Sequence, residues 1–513
     1  VGERTMRALL AERAERRPDK DFLVFEDAEG GVRTYTYREF EEAVDALAAG
    51  LAALGIVHGD AVTVLLPNCP EILLTWFALG TLGAVMVPSN TANTAPELQH
   101  VLAFSGSRAV VTQPAFLPLV TQARAGAPDV ELVVLARTAE RPAGTVGFDA
   151  LLATPPLAER PQVHSEDVVQ MLFTSGTTAR PKGVLLTHAN ALRAGERSSR
   201  SLYLDQDERC LTALPVFHVN AQSLTVLSAL SVGGTCILLE EYRASKFLDQ
   251  VRRHEATQTS VVAMQARTLL AREPRDDDAQ HRLRRVFYAI NITTAEKDEF
   301  ERRFGVALIH GYGLSEAVTL VAISPVCGPK RWPSLGLPTY DRQVRLVDLD
   351  GNDVAVGEVG EIVVSGIPGR TLMKGYHNDP EATAAALRDG WLYTGDNAYA
   401  DEQGYLYWFD RLKDMIKRAG ENVSTAEVES VLIQHPGVLE AAVFGVPDPV
   451  RDEAVKAVLV AKPGVELDTE QVRAFCAERL AGFKVPTIIE IREALPKTSI
   501  GKVAKGELRK EQA

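Results

Sequence analysis

The sequence predicts an α/β protein with more than one domain: a large layered α/β part, a small β part and a final α+β module. Three observations predict it. Short continuous apolar runs alternate with helical stretches as far as residue 330, the pattern of parallel sheets covered on both faces. Beyond that point, short strands lie among Gly and Asp turns. At 513 residues the chain also exceeds what one hydrophobic core organises.

The elements follow in order. Thr36-Tyr37-Arg38-Glu39 reads as a capping box, and Phe40, Val44, Leu47 and Leu51 continue it at helical spacing. Ala61–Leu66 is a continuous apolar strand, residues 71–80 a helix, and residues 84–87 a second strand. Strands are expected at 109–112 and 132–135. A helix near 189–200, a strand at 210–213, a helix at 222–231 and a strand at 235–239 resume the alternation. Residues 343–348 and 361–365 are short strands of a β subdomain spanning about 330–410. The texture shifts again at Asp410-Arg411-Leu412-Lys413. Past it lie a helix at 427–434, strands at 441–445 and 456–461, and a helix at 470–481. The expected division is therefore 1–410 and 411–513.

Composition narrows the function. Hydrophobic residues make up 46% of the chain, as in ordinary globular proteins. With 55 basic and 68 acidic residues, the net charge of −13 repels nucleic acid and anionic membranes, so neither is an expected partner. No apolar stretch is long enough to span a bilayer, and the N-terminus lacks the apolar core of a signal peptide. Val1 is no ordinary initiator, so a trimmed chain is expected. Cys69, Cys210, Cys236, Cys327 and Cys476 form no C-x-x-C pair, which suggests neither a disulfide framework nor a zinc site and fits a cytoplasmic protein.

One stretch points to chemistry. LFTSGTTARPKGVLLTHAN, residues 172–190, gathers five hydroxyl residues, two glycines and a lysine between an apolar run and an expected helix. Hydroxyls and backbone N–H groups in such a loop converge on phosphate oxygens, and Lys182 adds a point charge. The common nucleotide loop cannot be laid onto it, because Gly183 follows Lys182 where that loop needs a hydroxyl for the metal. Taken alone, the stretch is also compatible with a surface turn.

Four further segments decide between these readings: HGYGLSEA (310–317), WLYTGD (391–396), FDRLKDMIKRAGENV (409–423) and LPKTSIGK (495–502). With the Ser/Thr loop, in this order and over nearly the whole chain, they resemble the adenylate-forming superfamily of acyl-CoA ligases, luciferases and peptide-synthetase adenylation domains. FYAINITTAEKDEFERRFG, KRWPSLG and IKRAGENVS are similar to the crotonobetaine/carnitine–CoA ligase branch. The resemblance implies a two-step reaction using ATP, Mg2+ and coenzyme A. A small-molecule carboxylic acid attacks the α-phosphate to give acyl-AMP and pyrophosphate, and the CoA thiol then displaces AMP. It also implies a large N-terminal domain and a small mobile C-terminal one, with a homodimer as the expected assembly.

The resemblance assigns roles by motif. Thr174, Ser175, Gly176, Thr177, Thr178 and Lys182 would surround the β- and γ-phosphates. Tyr312, followed by Gly313, would lie against adenine, Ser315 would bond the α-phosphate, and Glu316 would reach Mg2+. Asp396 and Arg411 would hold the ribose. Lys502 would be the adenylation lysine, because positive charge eases the approach of two anions. Lys413 would be the hinge about which the C-terminal domain turns, withdrawing Lys502 and bringing in Gly420, past whose bare backbone the pantetheine arm would run. His218, Val219, Ala289, Ile290, Asn291 and Gly311 would border the acyl group.

Two departures bear on substrate and rate. Tyr288-Ala289-Ile290-Asn291-Ile292 stands where relatives carry a Gly-Gly-Ala-Pro type of segment, so the pocket should be reshaped. Ala179 replaces the commoner Gly or Ser of the phosphate loop. Phe217-His218 stands where amino-acid-activating relatives carry an aspartate, which argues against an amino acid. Alternatives left open are loading of a carrier-protein thiol, the thioester step alone from supplied acyl-AMP, and a silent nucleotide-binding protein.

Overall fold

A computed structural model describes residues 2–174, 181–289, 292–411, 416–418, 421–448, 452–480, 482–497 and 503–511. The chain divides into two compact units. The first comprises 1–344 and 364–393; the second comprises 345–363 and 394–513. Parts of the expected 330–410 β subdomain are thus grouped with the C-terminal module.

The first unit holds two large sheets. In one, the strands run in the order Gly375–Tyr376, Lys182–Thr187, Val168–Thr174, Val85–Pro88, Ala61–Leu65, Ser107–Thr112, Leu132–Leu135, Val146–Gly147. From Val168–Thr174 onward in that list the neighbours are parallel, whereas the first two strands add as antiparallel edges. The other sheet runs Leu337–Pro338, Thr319–Ile323, Leu308–Leu314, Arg285–Ala289, Gln258–Val262, Arg209–Thr212, Thr235–Leu239, Asp21–Glu26, Val32–Thr36. It too is parallel in its centre and antiparallel at both edges.

The local sequence explains these elements. Thr36 and Glu39 complete the expected capping box, and Tyr37–Ala53 buries Phe40, Val44, Leu47 and Leu51. Pro70–Leu82 is buried along its whole length and ends on Gly83 in the left-handed region. The central strands are buried on both faces, as their unbroken apolar runs require.

The helix expected near 189–200 is present as His188–Ser201, but a strand not expected from the sequence precedes it. Residues 168–174 and 182–187 are antiparallel neighbours, with Thr174 opposite Lys182, and the helix begins only at His188 behind a Thr187 cap. The reason is the run Gly183-Val184-Leu185-Leu186, in which buried Val184 and Leu186, with half-buried Leu185, extend the sheet first. The helix expected over 222–231 is π-helical across Gln222–Leu227 and α-helical only from Ser228. Such π turns recur beside functional sites.

The second unit contains a sheet in the order Glu421–Val423, Ile416–Arg418, Asp452–Ala461, Val438–Asp448, with Ile488–Arg492 parallel to Asp452–Ala461. Successive residues of the long strand face opposite sides. Val455, Ala457 and Leu459 join one apolar cluster with helix residues Val428 and Leu432, while Val458 and Val460 join another with Leu495 and Leu508. In the same unit, Asp396 lies opposite Arg411 in an antiparallel pair. Among the described residues no helix is long and apolar enough to cross a membrane.

Candidate active site

The expected site residues of the first unit fall at the carboxyl ends of parallel strands, where open α/β sheets bind ligands. Thr174 ends Val168–Thr174, Ala289 ends Arg285–Ala289, and Gly311, Tyr312 and Gly313 lie near the end of Leu308–Leu314. His218 follows Arg209–Thr212. Asn68 ties the two sheets together at this end. Its Nδ2 donates to the carbonyls of Leu214 and Leu239 at 3.0 Å each, and its Oδ1 accepts from Val216 N at 2.9 Å.

HGYGLSEA folds back on itself. Leu308–Leu314 pairs with Thr319–Ile323, with a bulge between Tyr312 and Gly313. A Cβ on Gly313 would stand 2.0 Å from the Thr319 carbonyl oxygen, so only glycine permits this approach. Tyr312 is largely buried, and Ser315 and Glu316 are half-buried. The tight turn that follows puts two β-branched residues at positive φ, Val318 at 57° and Thr319 at 79°. Backbone strain of this kind persists only where the surroundings over-determine it.

Two buried arginines supply that determination. Arg197, fully buried, donates to the carbonyl of Val318 at 2.8 Å and grips Asp341 through Nε and Nη2 at 2.8 and 3.0 Å. Arg342 donates to the carbonyls of Ala317 and Thr371. Burial alone would raise the Asp341 carboxyl, but the Arg197 hydrogen bonds and charge hold it below the usual range. Burial, with Arg197 close by, lowers the pKa of Arg342.

The segment 373–377 joins Glu316 to the phosphate-loop strand. Met373 N donates to the Glu316 carbonyl at 2.9 Å, and His377 N donates to the Gly183 carbonyl at 2.7 Å. Between them, Gly375 and Tyr376 pair with Leu185 and Val184. The Tyr376 hydroxyl donates to Glu316 Oε1 at 3.0 Å, and the Lys182 ammonium sits 4.7 Å from the centre of the Tyr376 ring. A cation and a carboxylate from distant motifs thus meet on one tyrosine.

His310 braces the same strand from behind. Its ring lies 5.1 Å from that of Tyr288 and 5.5 Å from that of Trp332. Nδ1 is 2.8 Å from the Ser334 carbonyl, so that nitrogen carries the proton. Burial lowers its pKa to about 4 and keeps the ring neutral. His218 caps a short helical turn, its ring 4.4 Å from that of Phe217, and Gln222 Nε2 holds the preceding Val216 carbonyl at 2.7 Å. Val219 starts that turn.

In the second unit Asp396 is 2% exposed, next to Gly395 at φ 71°, whose N–H donates to Glu361 at 2.8 Å. Lys497 and Val503 pair as an isolated bridge on either side of 498–502. Ser175, Gly176, Thr177, Thr178, Ile290, Asn291, Lys413, Gly420 and Lys502 lie outside the described residues, as does the side chain of Arg411.

The AMP-binding enzyme family pattern matches residues 10–377, and that of the AMP-binding enzyme C-terminal domain matches residues 427–502. The chain belongs to the AMP-binding enzyme family. This AMP-binding enzyme is 38% identical to the crotonobetaine/carnitine–CoA ligase of Salmonella paratyphi A, over 99% of each chain. It superposes on the anthranilate CoA ligase AuaEII in complex with anthranoyl-AMP with a TM-score of 0.89, at 28% identity, covering 99% of this chain and 97% of that one. The o-succinylbenzoate CoA synthetase MenE of Bacillus subtilis, solved with ATP and a magnesium ion, gives a TM-score of 0.85 at 28% identity over 99% of each chain. The protein is an acyl-CoA ligase that works through an acyl-adenylate.

Glu316 fits Mg2+: it is a half-buried carboxylate anchored through Oε1 by Tyr376, an oxygen donor of the kind Mg2+ takes alongside substrate phosphates and water.

Motif reading missed Tyr376, Arg197, Arg342 and Asn68. Arg197 leaves a trace in sequence, a lone arginine on the buried stripe of His188–Ser201. Tyr376 leaves only its place in Lys374-Gly375-Tyr376-His377, between two recognised motifs.

Proposed function

We propose that this protein activates a short carboxylic acid of the crotonobetaine or carnitine kind and passes the acyl group to coenzyme A. The substrate class rests on the 38% identity over the whole chain to a crotonobetaine/carnitine–CoA ligase. The chemistry rests above all on one observation, that segment 373–377 links Lys182 and Glu316, so phosphate- and metal-directed groups share one site.

In the first step a carboxylate oxygen of the acid bonds to the α-phosphorus, and the bond from that phosphorus to the pyrophosphate oxygen breaks. Lys182 and the hydroxyls from Thr174 to Thr178 hold the β- and γ-phosphates. Ser315 bonds the α-phosphate, Tyr312 flanks adenine, and Asp396 with Arg411 holds the ribose. Bound with ATP, Mg2+ supplies positive charge that offsets the phosphates, and Glu316 is the residue that would hold it. Lys502 brings a further positive charge to the meeting of the two anions. In the second step the CoA sulfur bonds to the acyl carbon and the carbon–oxygen bond to AMP breaks. Gly420 leaves space for the pantetheine arm, and Lys413 is the pivot between the two arrangements, near the 410/411 division expected from the sequence. His218, Val219, Gly311 and the 289–291 segment shape the acyl pocket. A homodimer and a cytoplasmic location complete the reading.

A panel of carboxylates tests it, scored separately for pyrophosphate release and for thioester, with CoA and a carrier-protein thiol compared as acceptors. Crotonobetaine or carnitine should give both products with CoA. Turnover of aryl acids alone would overturn the substrate class, and thioester only on the carrier would overturn the acceptor.

A further inference from the structure

We infer that Tyr376 is a positioning residue that sets the carboxylate of Glu316 and the ammonium of Lys182 in register before nucleotide arrives. The inference rests on the reading that Glu316 holds Mg2+ and Lys182 the phosphates.

Tyr376 is doubly engaged. Its hydroxyl donates to Glu316 Oε1 at 3.0 Å, and its ring carries Lys182 at 4.7 Å. Its own backbone is fixed. Tyr376 N donates to Thr383 Oγ1 at 2.9 Å, and the residue pairs with Val184 at the sheet edge. The neighbouring Met373 and His377 amides bind the backbones of Glu316 and Gly183. The side chain therefore cannot move without disturbing both motifs.

The contact also has a preferred direction. The phenol O–H is the donor and the Glu316 carboxylate oxygen the acceptor, at 3.0 Å. A carboxylate anchored through one oxygen keeps a fixed plane, which is how partners behind a metal ligand act.

Four readouts test the inference. Tyr376→Phe keeps the ring and its cation contact and removes only the hydroxyl. Its half-saturating Mg2+ concentration for acid-dependent pyrophosphate release should rise about 10–100-fold, with kcat largely restored at high Mg2+. Mn2+ binding, followed by electron paramagnetic resonance on protein saturated with a non-hydrolysable ATP analogue, should weaken by a similar factor. Thioester formation from supplied acyl-AMP should be unchanged. Tyr376→Leu, lacking the ring as well, should in addition raise the KM for ATP. Unchanged Mn2+ affinity in Tyr376→Phe, or equal loss in both half-reactions, would overturn the inference. If the wild-type protein released no pyrophosphate with any acid, the functional reading would fail, while the Mn2+ titration would still decide the part played by Tyr376.

Discussion

At the scale of single residues, His310 and His188 show how burial writes a pH dependence into the fold. Burial is the main cause in both, and each pKa falls from 6.5 to about 4. A group whose folded pKa is depressed takes up its proton first in the unfolded chain. The protein should therefore hold its full stability above pH 6.5 and lose it as the pH falls toward 4. Each histidine accounts for about 3 kcal/mol at most. Urea midpoints measured at pH 7 and pH 5 should show the fall. His310→Asn keeps a donor for the Ser334 carbonyl and cannot titrate, so it should make the fall shallower, and an equally steep fall would remove His310 as a cause. Asp396 carries a different prediction. If it accepts the ribose hydroxyls through charge-assisted hydrogen bonds, Asp396→Ala should raise the KM for ATP about 10–100-fold. An unaltered KM would take Asp396 out of the nucleotide site.

At the scale of elements, the turn after HGYGLSEA is the most constrained piece of the site. Arg197 is its keystone, reaching from the helix His188–Ser201 to the Val318 carbonyl and to Asp341. Arg197→Met keeps the volume but leaves the half-buried Asp341 carboxylate without its ion pair, held only by Thr339 Oγ1 at 3.3 Å among the described residues, and removes the donor to the Val318 carbonyl. Such a loss should cost about 3–5 kcal/mol, read as a lower denaturation midpoint. Loss of less than about 1 kcal/mol would mean that the turn is held otherwise. This turn also marks where legibility in the sequence stops. Helix Tyr37–Ala53 was readable from its capping box, and the central strands from their unbroken apolar runs, because local chemistry decides both. The strands Val168–Thr174 and Lys182–Thr187 were harder, because pairing across the Ser/Thr loop depends on partners distant in sequence. The π-helical stretch at Gln222–Leu227 has no periodic signature distinct from an α-helix over so few residues. Lys182, Ser315 and Glu316 could be named from motifs, yet Tyr376 could not, since its importance lies in which two side chains it touches.

At the scale of the whole molecule, two compact units carry the work, and strand ends in the first unit gather most of the described site residues. The proposed adenylation lysine, Lys502, and the proposed thiol-channel glycine, Gly420, lie outside the described residues. Their different proposed roles predict half-reactions that can be broken one at a time. The central claim is that one site serves two successive reactions, with Lys502 needed only for the first. The most direct measurement compares wild type and Lys502→Ala in two assays: acid-dependent pyrophosphate release from ATP, and CoA thioester formation from supplied acyl-AMP. The variant should lose the first by at least about 100-fold, as when preorganised charge is removed from a transition state, and keep the second near the wild-type rate. Parallel loss of both, or retention of the first, would contradict the account.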